Sequence, residues 1–289
     1  MQQINCYNCH SNKSTLFLSE NGFNLVKCSQ CGLLYVNPRP SEDEITMAAM
    51  SGLHKGDETI NVADQYRPEK IDAYKIRLND LYGSELNNKK ISLFDLGCGY
   101  GEFIETFGAR VSKDSTLVGS EPMEVKRLSA QQRGLKVDFI DVSNLKPEYD
   151  IISFLNVFSH LPNPPAFFEM MKKGLKPGGE FIVQTGDSKD LTPVTHHKPF
   201  LLPDHLSFGS EEIVCNILKN LGFEIIAVQR YEYSPKMHFK YNMIYDIKDR
   251  LKTIFKKGHQ RVVHPEHDIR YRGMNLKRDM WIRAKLKTS

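Results

Sequence analysis

The chain lacks long hydrophobic runs: no stretch approaches the roughly 18–20 apolar residues that a membrane-spanning helix needs. Its first residues, MQQINCYNCH, have no apolar segment of the kind found in secretory signal peptides. We therefore expect a cytoplasmic protein that neither spans a membrane nor follows the ordinary export route. With 289 residues, 40% hydrophobic and 26% charged, the chain is long enough for one large globular domain and a small one.

Two common phosphate-binding motifs are also missing. Residues 92–103, SLFDLGCGYGEF, have the strand, glycine turn and helix outline of a nucleotide-binding unit. Gly97, Gly99 and Gly101 follow the spacing G-x-G-x-G, which differs from the dinucleotide fingerprint G-x-G-x-x-G. No Lys-Ser or Lys-Thr follows, which excludes a P-loop.

Cysteine is scarce, and its distribution is uneven. Four of the six cysteines form two C-x2-C pairs with 18 residues between them, a spacing typical of tetrahedral zinc ligands in a reducing compartment. We predict a zinc ribbon over residues 1–40, with a hairpin that turns at Asn21-Gly22. Four thiolates leave no open position on the metal, so the predicted zinc is structural. The predicted ligands are Cys6, Cys9, Cys28 and Cys31.

The rest of the chain divides into a connecting region and a large α/β domain. Residues 41–90 are interpreted as linker and N-terminal helices, with a capping box at Ser41 and Glu44, a mobile linker over 50–64 and a helix over 66–86. Residues 91–289 alternate strand and helix patterns, which predicts a Rossmann-like, doubly wound sheet of seven strands. A basic insertion, 236–276, separates the last two strands.

Acidic and polar residues stand where the predicted strands end, the edge at which such sheets bind ligands. Glu121 follows the second strand and suits ribose hydroxyls, while Asp141 follows the third and can accept from an exocyclic amine. With the turn from Asp95 to Gly101, these positions resemble the class I S-adenosylmethionine-dependent methyltransferases, and LKPGGEFIVQT is similar to their fifth-strand region. The resemblance implies S-adenosylmethionine as cofactor. The residues expected to bind it are Asp95, Gly97, Cys98, Gly99, Gly101, Glu121, Pro122, Asp141 and Asn156.

Histidines supply the candidates for catalysis. An imidazole titrates near neutrality and can take a proton from a hydroxyl or amine as a methyl group arrives. The stretch 186–209 carries His196, His197 and His205, and His160 follows the fourth strand. We predict the base among these, with His205 first, then His160 and His197. Asp204, beside His205, is either an orienting partner or a surface turn residue.

The methyl acceptor is less constrained by the sequence. Residues 236–289 carry a net charge of +10, which favours an anionic partner, and the segment 240–257 can pack as a basic helix or contact a membrane surface. The motifs resemble methyltransferases of bacterial polysaccharide and sugar modification, which implies O- or N-methylation of a nucleotide-activated or lipid-linked saccharide. Two alternatives stay open: a zinc-ribbon RNA methyltransferase, disfavoured by a ribbon with few basic residues, and a non-catalytic cofactor-binding scaffold.

Overall fold

The computed structural model describes residues 1–193, 199–232 and 277–288. Its helices are Glu42–Ser51 (α1), Glu69–Tyr82 (α2), Glu102–Gly108 (α3), Glu124–Gln132 (α4), Pro164–Lys172 (α5) and Glu211–Asn220 (α6). Its strands are Ser14–Glu20 (β1), Phe23–Cys28 (β2), Leu34–Val36 (β3), Leu53–Lys55 (β4), Thr59–Asn61 (β5), Ser92–Leu96 (β6), Thr116–Ser120 (β7), Val137–Asp138 (β8), Tyr149–Leu155 (β9), Leu175–Gly186 (β10), Ser207–Phe208 (β11), Phe223–Tyr231 (β12) and Asp279–Leu286 (β13).

The central sheet has seven strands in the order β12-β13-β10-β9-β6-β7-β8. Strands β8, β7, β6, β9 and β10 run parallel, whereas β13 pairs antiparallel with both β10 and β12. The chain order reverses between β6 and β9, so the carboxyl ends of these two strands flank a crevice. The seven-stranded α/β fold predicted from the sequence is confirmed.

Both faces of this sheet are buried, which explains why its strands read as continuous hydrophobic runs. Neighbouring residues point to opposite faces, so Ile151 and Ile152 belong to different clusters. Ile152 packs with Phe168 of α5 and Leu218 of α6. On the other face, Ile151 shares a cluster with residues of α2 and α3 and with the buried Trp281. The sheet therefore carries helices on both sides, as a parallel sheet requires.

The N-terminal hairpin shares a second sheet with a strand from the large domain. Strands β1, β2 and β3 are joined by β11, which pairs antiparallel with β3 through Ser207–Tyr35 and Phe208–Leu34. Tyr35 also packs in the main hydrophobic cluster with Phe158. The predicted hairpin is present, and the ribbon packs directly on the edge of the large domain.

The region after the ribbon differs from its prediction. The capping box at the start of α1 is present, with Ser41 and Glu44 bonded reciprocally. The expectation of a mobile linker at 50–64 is wrong, because β4 and β5 form a hairpin there. His54 anchors this hairpin, since its side chain is buried against a carboxylate of the large domain. The predicted helix at 66–86 is shorter and corresponds to α2.

Among the helices in the described ranges, none has both the length and the apolar content required to cross a bilayer. The basic insertion 236–276 and the predicted helix 240–257 lie outside the described residues.

Candidate functional site

The glycine-rich turn after β6 forms one wall of a large cavity. Gly97 and Gly99 have left-handed backbone angles, with φ of 63° and 57°, a region that residues with a Cβ rarely adopt. The N–H groups of Gly97 and Cys98 donate to the Ser120 carbonyl at 2.7 and 3.2 Å, which ties the turn to the end of β7. A Cβ on Gly99 would have no atom within 4 Å. The turn therefore leaves space for a ligand to approach its backbone closely.

Gly101, the third glycine of the motif, has a packing role. It precedes α3 with φ of 84°, and a Cβ there would lie 2.4 Å from Cδ1 of Leu135. Gly101 is not among the residues that line the cavity. The structure therefore explains Gly101 by the start of α3 against Leu135, and its contact with the cofactor stays a prediction.

Glu121 lies at the end of β7, beside the glycine turn. One carboxylate oxygen accepts from the Gly99 N–H at 2.9 Å and the other from the Met123 N–H at 3.0 Å. Burial raises the pKa of Glu121, although these backbone donors act in the opposite direction. A carboxylate has about four lone-pair sites, so Glu121 keeps acceptor capacity toward the cavity that it lines. This position is compatible with the predicted ribose contact.

The other predicted cofactor residues also line the cavity, but two of them have local partners. Asp95 is buried and accepts from the Ser153 hydroxyl at 2.6 Å, and burial raises its pKa to about 7. Asp141 is bonded to the Ser143 N–H, which lowers the pKa of this exposed carboxyl. The cavity is also lined by Cys98, Pro122 and Asn156.

A segment ahead of α2 covers the glycine turn and was not predicted to do so. The Tyr100 hydroxyl donates to the Asp64 carbonyl, and the Glu102 carboxylate accepts from the Arg67 N–H at 3.1 Å. Lys126 of α4 lies 3.2 Å from the Asp64 carboxylate. These contacts close one side of the cavity over the glycine turn.

The same cavity extends well beyond the glycine turn. Its volume is about 1070 Å³, and it reaches from Gly97 and Glu121 to His54, His160 and His205. Pockets for single small ligands occupy roughly 300–1,000 Å³. The cavity therefore lies at the upper end of this range and spans both the glycine turn and the histidine cluster.

Asp204 organises the far end of this cavity. Its Oδ1 lies 3.0 Å from Nδ1 of His160 and 3.1 Å from Nε2 of His54. The side chains of Asp204 and His54 are each only 9% exposed, whereas that of His160 keeps 37% exposure. An ionised carboxylate only accepts hydrogen bonds, so Nδ1 of His160 carries a proton and Nε2 presents a lone pair. Asp204 thus orients His160 and not the adjacent His205.

The charges in this cluster support the same assignment. Burial alone would lower the pKa of His160, but the Asp204 carboxylate outweighs burial and raises it above 6.5. The pKa of Asp204 falls to about 2 despite its burial, because His160 favours the ionised form. Asp204 is therefore ionised at neutral pH, and His160 is a stronger base than an ordinary histidine side chain.

His205 stands beside His160 with a different partner. The two ring centroids are 4.8 Å apart, and Nδ1 of His205 donates to the Phe200 carbonyl at 2.8 Å. Burial, followed by the nearby His160, lowers the pKa of His205 to about 4. His205 is therefore neutral at physiological pH, with its Nε2 lone pair free of this bond. His196 and His197 lie outside the described residues.

The histidine cluster also has the donor types of a metal site. Ligand atoms of His160, Asp204 and His205 lie within 4.8 Å of one another. In the structure, the Nδ1 proton of His160 is donated to Asp204, and that of His205 to Phe200. Each imidazole therefore donates its Nδ1 proton to an oxygen acceptor.

The comparisons with known proteins agree with this geometry. A family model described as a methyltransferase domain matches residues 64–228, more than half of the chain. The chain belongs to this methyltransferase family. The family predicted from the turn at Asp95–Gly101 is thereby confirmed, and with it the cofactor S-adenosylmethionine.

Curated relatives of this methyltransferase carry the name ubiquinone biosynthesis O-methyltransferase. The relative from Photobacterium profundum is 33% identical over 119 residues, which is 38% of this chain and 50% of the relative. The one from Erwinia tasmaniensis is 28% identical over 125 residues, 41% of this chain and 49% of the relative. The chain thus spans about half the length of the curated relatives it matches.

Solved structures share the fold. A SAM-dependent methyltransferase from Archaeoglobus fulgidus aligns with a TM-score of 0.51 at 17% identity, covering 76% of this chain and 94% of its own. The YcgJ protein from Bacillus subtilis aligns with a TM-score of 0.52 at 13% identity, covering 75% and 99%.

The four paired cysteines of the methyltransferase converge at the base of the ribbon. The Sγ atoms of Cys6 and Cys31, and those of Cys9 and Cys28, are 3.5 Å apart. Zinc–sulfur bonds of about 2.3 Å in a tetrahedron place sulfur atoms roughly 3.8 Å apart. Burial acts to raise the pKa of Cys28, but the N–H groups of Cys31 and Gln30 lower it to about 7. These four thiols can therefore hold a tetrahedral metal ion.

Two site residues were missed by sequence reasoning. His54 stands alone in LHK, between two polar stretches, and its partner Asp204 is 150 residues away. Glu102 follows the glycine motif directly and begins α3, and this place in the chain is the one signal that the sequence offers for it. The contacts of His54 and Glu102 do not follow from local spacing.

Proposed function

We propose that this methyltransferase methylates a hydroxyl group of an amphipathic, lipid-linked acceptor, with His160 as the proton acceptor. One observation carries the proposal: the Asp204–His160 pair opens into the same cavity as the glycine turn and Glu121. When bound, S-adenosylmethionine supplies a methyl group on a positively charged sulfur. The backbone around Gly97 and Gly99 and the Glu121 carboxylate would hold it.

His160 and Asp204 divide the work at the acceptor. The Nε2 lone pair of His160 takes the hydroxyl proton as the new bond forms, and the ring becomes an imidazolium. Asp204 keeps the proton on Nδ1 and stabilises the positive charge that develops, as a carboxylate partner does in other histidine-based sites. Nε2 of His54 lies 3.1 Å from the same Oδ1 of Asp204, so the carboxylate lies between two imidazoles.

The wall of the cavity supports an acceptor with an apolar part. Met47, Leu53 and Phe139 line the cavity and are 65%, 43% and 49% exposed. Two lysines of the lining, Lys70 and Lys126, lie against carboxylates. These carboxylates partly neutralise the lysine charges and so weaken their attraction for a phosphate group. A lipid-linked saccharide fits this lining better than a nucleotide-activated sugar. That the acceptor carries an anionic group, as the basic composition of residues 236–276 predicts, stays part of this proposal.

A quinone precursor is the second candidate acceptor. Its support is the name of the curated relatives, ubiquinone biosynthesis O-methyltransferase. Both candidates carry a hydroxyl on an apolar molecule, and both fit the lining described above.

We also propose that the four ribbon cysteines bind a structural Zn²⁺. The support is the convergence of four thiols in a spacing and geometry that match tetrathiolate sites. Four protein ligands would leave no position for substrate, so the metal would stabilise the ribbon.

A labelling experiment tests the acceptor. The protein is incubated with methyl-tritiated S-adenosylmethionine and separate lipid, aqueous-metabolite and RNA fractions of source cells. We expect label in the lipid fraction; mild acid then separates a glycolipid, which releases labelled sugar, from a quinone precursor, which does not. Label confined to RNA or to water-soluble nucleotide sugars would contradict the proposal. His160→Ala is the control that ties the signal to this site.

A further inference from the structure

The loop that carries His205 has an unusual backbone conformation. Leu201 has φ of 63°, in the left-handed region that favours glycine. Its carbonyl accepts from the backbone N–H of His205 at 3.1 Å, and the neighbouring Phe200 carbonyl accepts from Nδ1 of His205. Both carbonyls must point back toward His205, so the orientation of its imidazole depends on the shape of residues 200–202.

Glu20, the last residue of β1 in the ribbon, holds that shape. Its Oε2 accepts from the Phe200 N–H at 2.8 Å and its Oε1 from the Leu202 N–H at 3.2 Å. The two bonds flank Leu201 on both sides. A single carboxylate from the ribbon therefore stabilises the left-handed conformation of Leu201. The carbonyls of Leu201 and Phe200 both accept hydrogen bonds from His205.

Asn21, the next residue, connects the same loop to the hairpin that carries His54. Its side-chain amide donates to the Leu202 carbonyl at 3.0 Å, and its side-chain oxygen accepts from the Glu58 N–H at 2.7 Å. Glu58 lies in the turn between β4 and β5. Glu20 and Asn21 thus contact both the loop that carries Asp204 and the hairpin that carries His54.

We propose that Glu20 and Asn21, here called the ribbon tip, position the histidine cluster for methyl transfer. Glu20 is a positioning residue that acts through the Phe200 carbonyl on the tautomer and orientation of His205. The inference rests on the proposed function in assigning this cluster to the acceptor site. It gives the ribbon a role beyond its metal: it shapes the acceptor end of the cavity.

The test compares Glu20→Ala with Ser19→Ala, a matched control on the same strand. The Ser19 hydroxyl bonds to Asn24 within the hairpin and makes no bond to the loop. In Glu20→Ala we expect kcat to fall about 10- to 100-fold through misplaced groups, with cofactor affinity and zinc content unchanged. Glu20→Gln keeps one acceptor oxygen, so its kcat should fall between those of wild type and Glu20→Ala.

A second readout is independent of turnover. Long-range ¹H–¹⁵N spectra of the ¹⁵N-histidine-labelled protein report the tautomer and pKa of each imidazole, and His205→Ala identifies the His205 signals. We expect Glu20→Ala to lose the Nδ1-protonated form of His205 and to lower its pKa further, because the bond to the Phe200 carbonyl raises that pKa, while Ser19→Ala keeps both. Unchanged His205 signals in Glu20→Ala would overturn the inference, as would a general loss of zinc or of the folded state. If wild type methylates no acceptor tested, the proposed function fails while the spectra still decide the role of Glu20.

Discussion

The two ends of the cavity are built in different ways. The glycine turn and Glu121, the main features of the cofactor end, come from one continuous stretch that runs from β6 through α3 to the end of β7. The acceptor end is assembled from four separate segments: β4, the residues after β9, the loop before β11 and the ribbon tip. The first end depends on local spacing, and the second on tertiary packing. Disturbing one should leave the other largely intact, and each prediction below tests that separation.

Removing the proposed base should have the largest effect. In His160→Ala we expect kcat to fall about 10²- to 10⁴-fold, the usual contribution of general acid–base catalysis. Cofactor affinity, measured by calorimetry, should stay within about twofold because His160 lies at the acceptor end. The exposed ribbon residue His10 gives the matched control, His10→Ala, which should retain wild-type turnover. Equal loss of cofactor affinity in His160→Ala would show that the two ends are not separate.

Metal removal should act on the acceptor end through the ribbon. Chelation is expected to release one zinc per chain and to lower turnover about 10²-fold, since groups displaced by an ångström lose that much rate. The β3–β11 pairing transmits the change to the loop that carries Asp204. Cofactor affinity measured on the same sample should persist. Full turnover after complete zinc loss would contradict this coupling.

At the cofactor end, Glu121→Ala should weaken S-adenosylmethionine binding by about 1–3 kcal/mol through lost charged hydrogen bonds. The turnover at saturating cofactor should fall much less, because the histidine cluster is untouched. Isothermal titration calorimetry measures the affinity. Glu124→Ala, an exposed carboxylate three residues later, is the control. Unchanged affinity in Glu121→Ala would remove it from the ribose site.

The smallest effect is a shift in pH dependence. His160 acts unprotonated, so kcat should rise with pH through its raised pKa, which lies above 6.5 because Asp204 outweighs burial. In Asp204→Asn that carboxylate is gone and burial remains, so the acid limb of the kcat profile should move to lower pH. The maximum kcat should also drop, because the imidazolium loses its partner. An acid limb at the same pH in both proteins would exclude His160 as the titrating base.

The same contrast explains what the sequence could predict. The seven strands, the ribbon hairpin, the capping box of α1 and the cavity position of Glu121 all follow from patterns within about thirty residues. The sequence leaves Asp204 as either an orienting partner of the adjacent His205 or a surface turn residue. In the loop, the Asp204 side chain meets His160, 44 residues earlier, while His205 meets the Phe200 carbonyl. Sequence adjacency gives no information on which way two loop side chains point.

The hairpin at β4–β5 was missed for a related reason. Residues 50–64 are polar and contain glycine, the usual composition of a linker. The burial of His54 against Asp204 and the bonds from Asn21 give this segment a fixed place. Those partners come from other segments, so no local pattern could reveal them.

The pairing of β3 with β11 has a consequence during synthesis of the chain. Residues 34–36 leave the ribosome about 170 residues before Ser207 and Phe208, which at roughly 5–20 residues per second is on the order of 10–30 s. Throughout that interval the nascent ribbon exposes an open strand edge, the kind of edge on which chains aggregate. Early metal binding by the cysteines would stabilise the hairpin until β11 is synthesised and pairs with this edge. Zinc supply during translation should therefore influence the yield of folded protein.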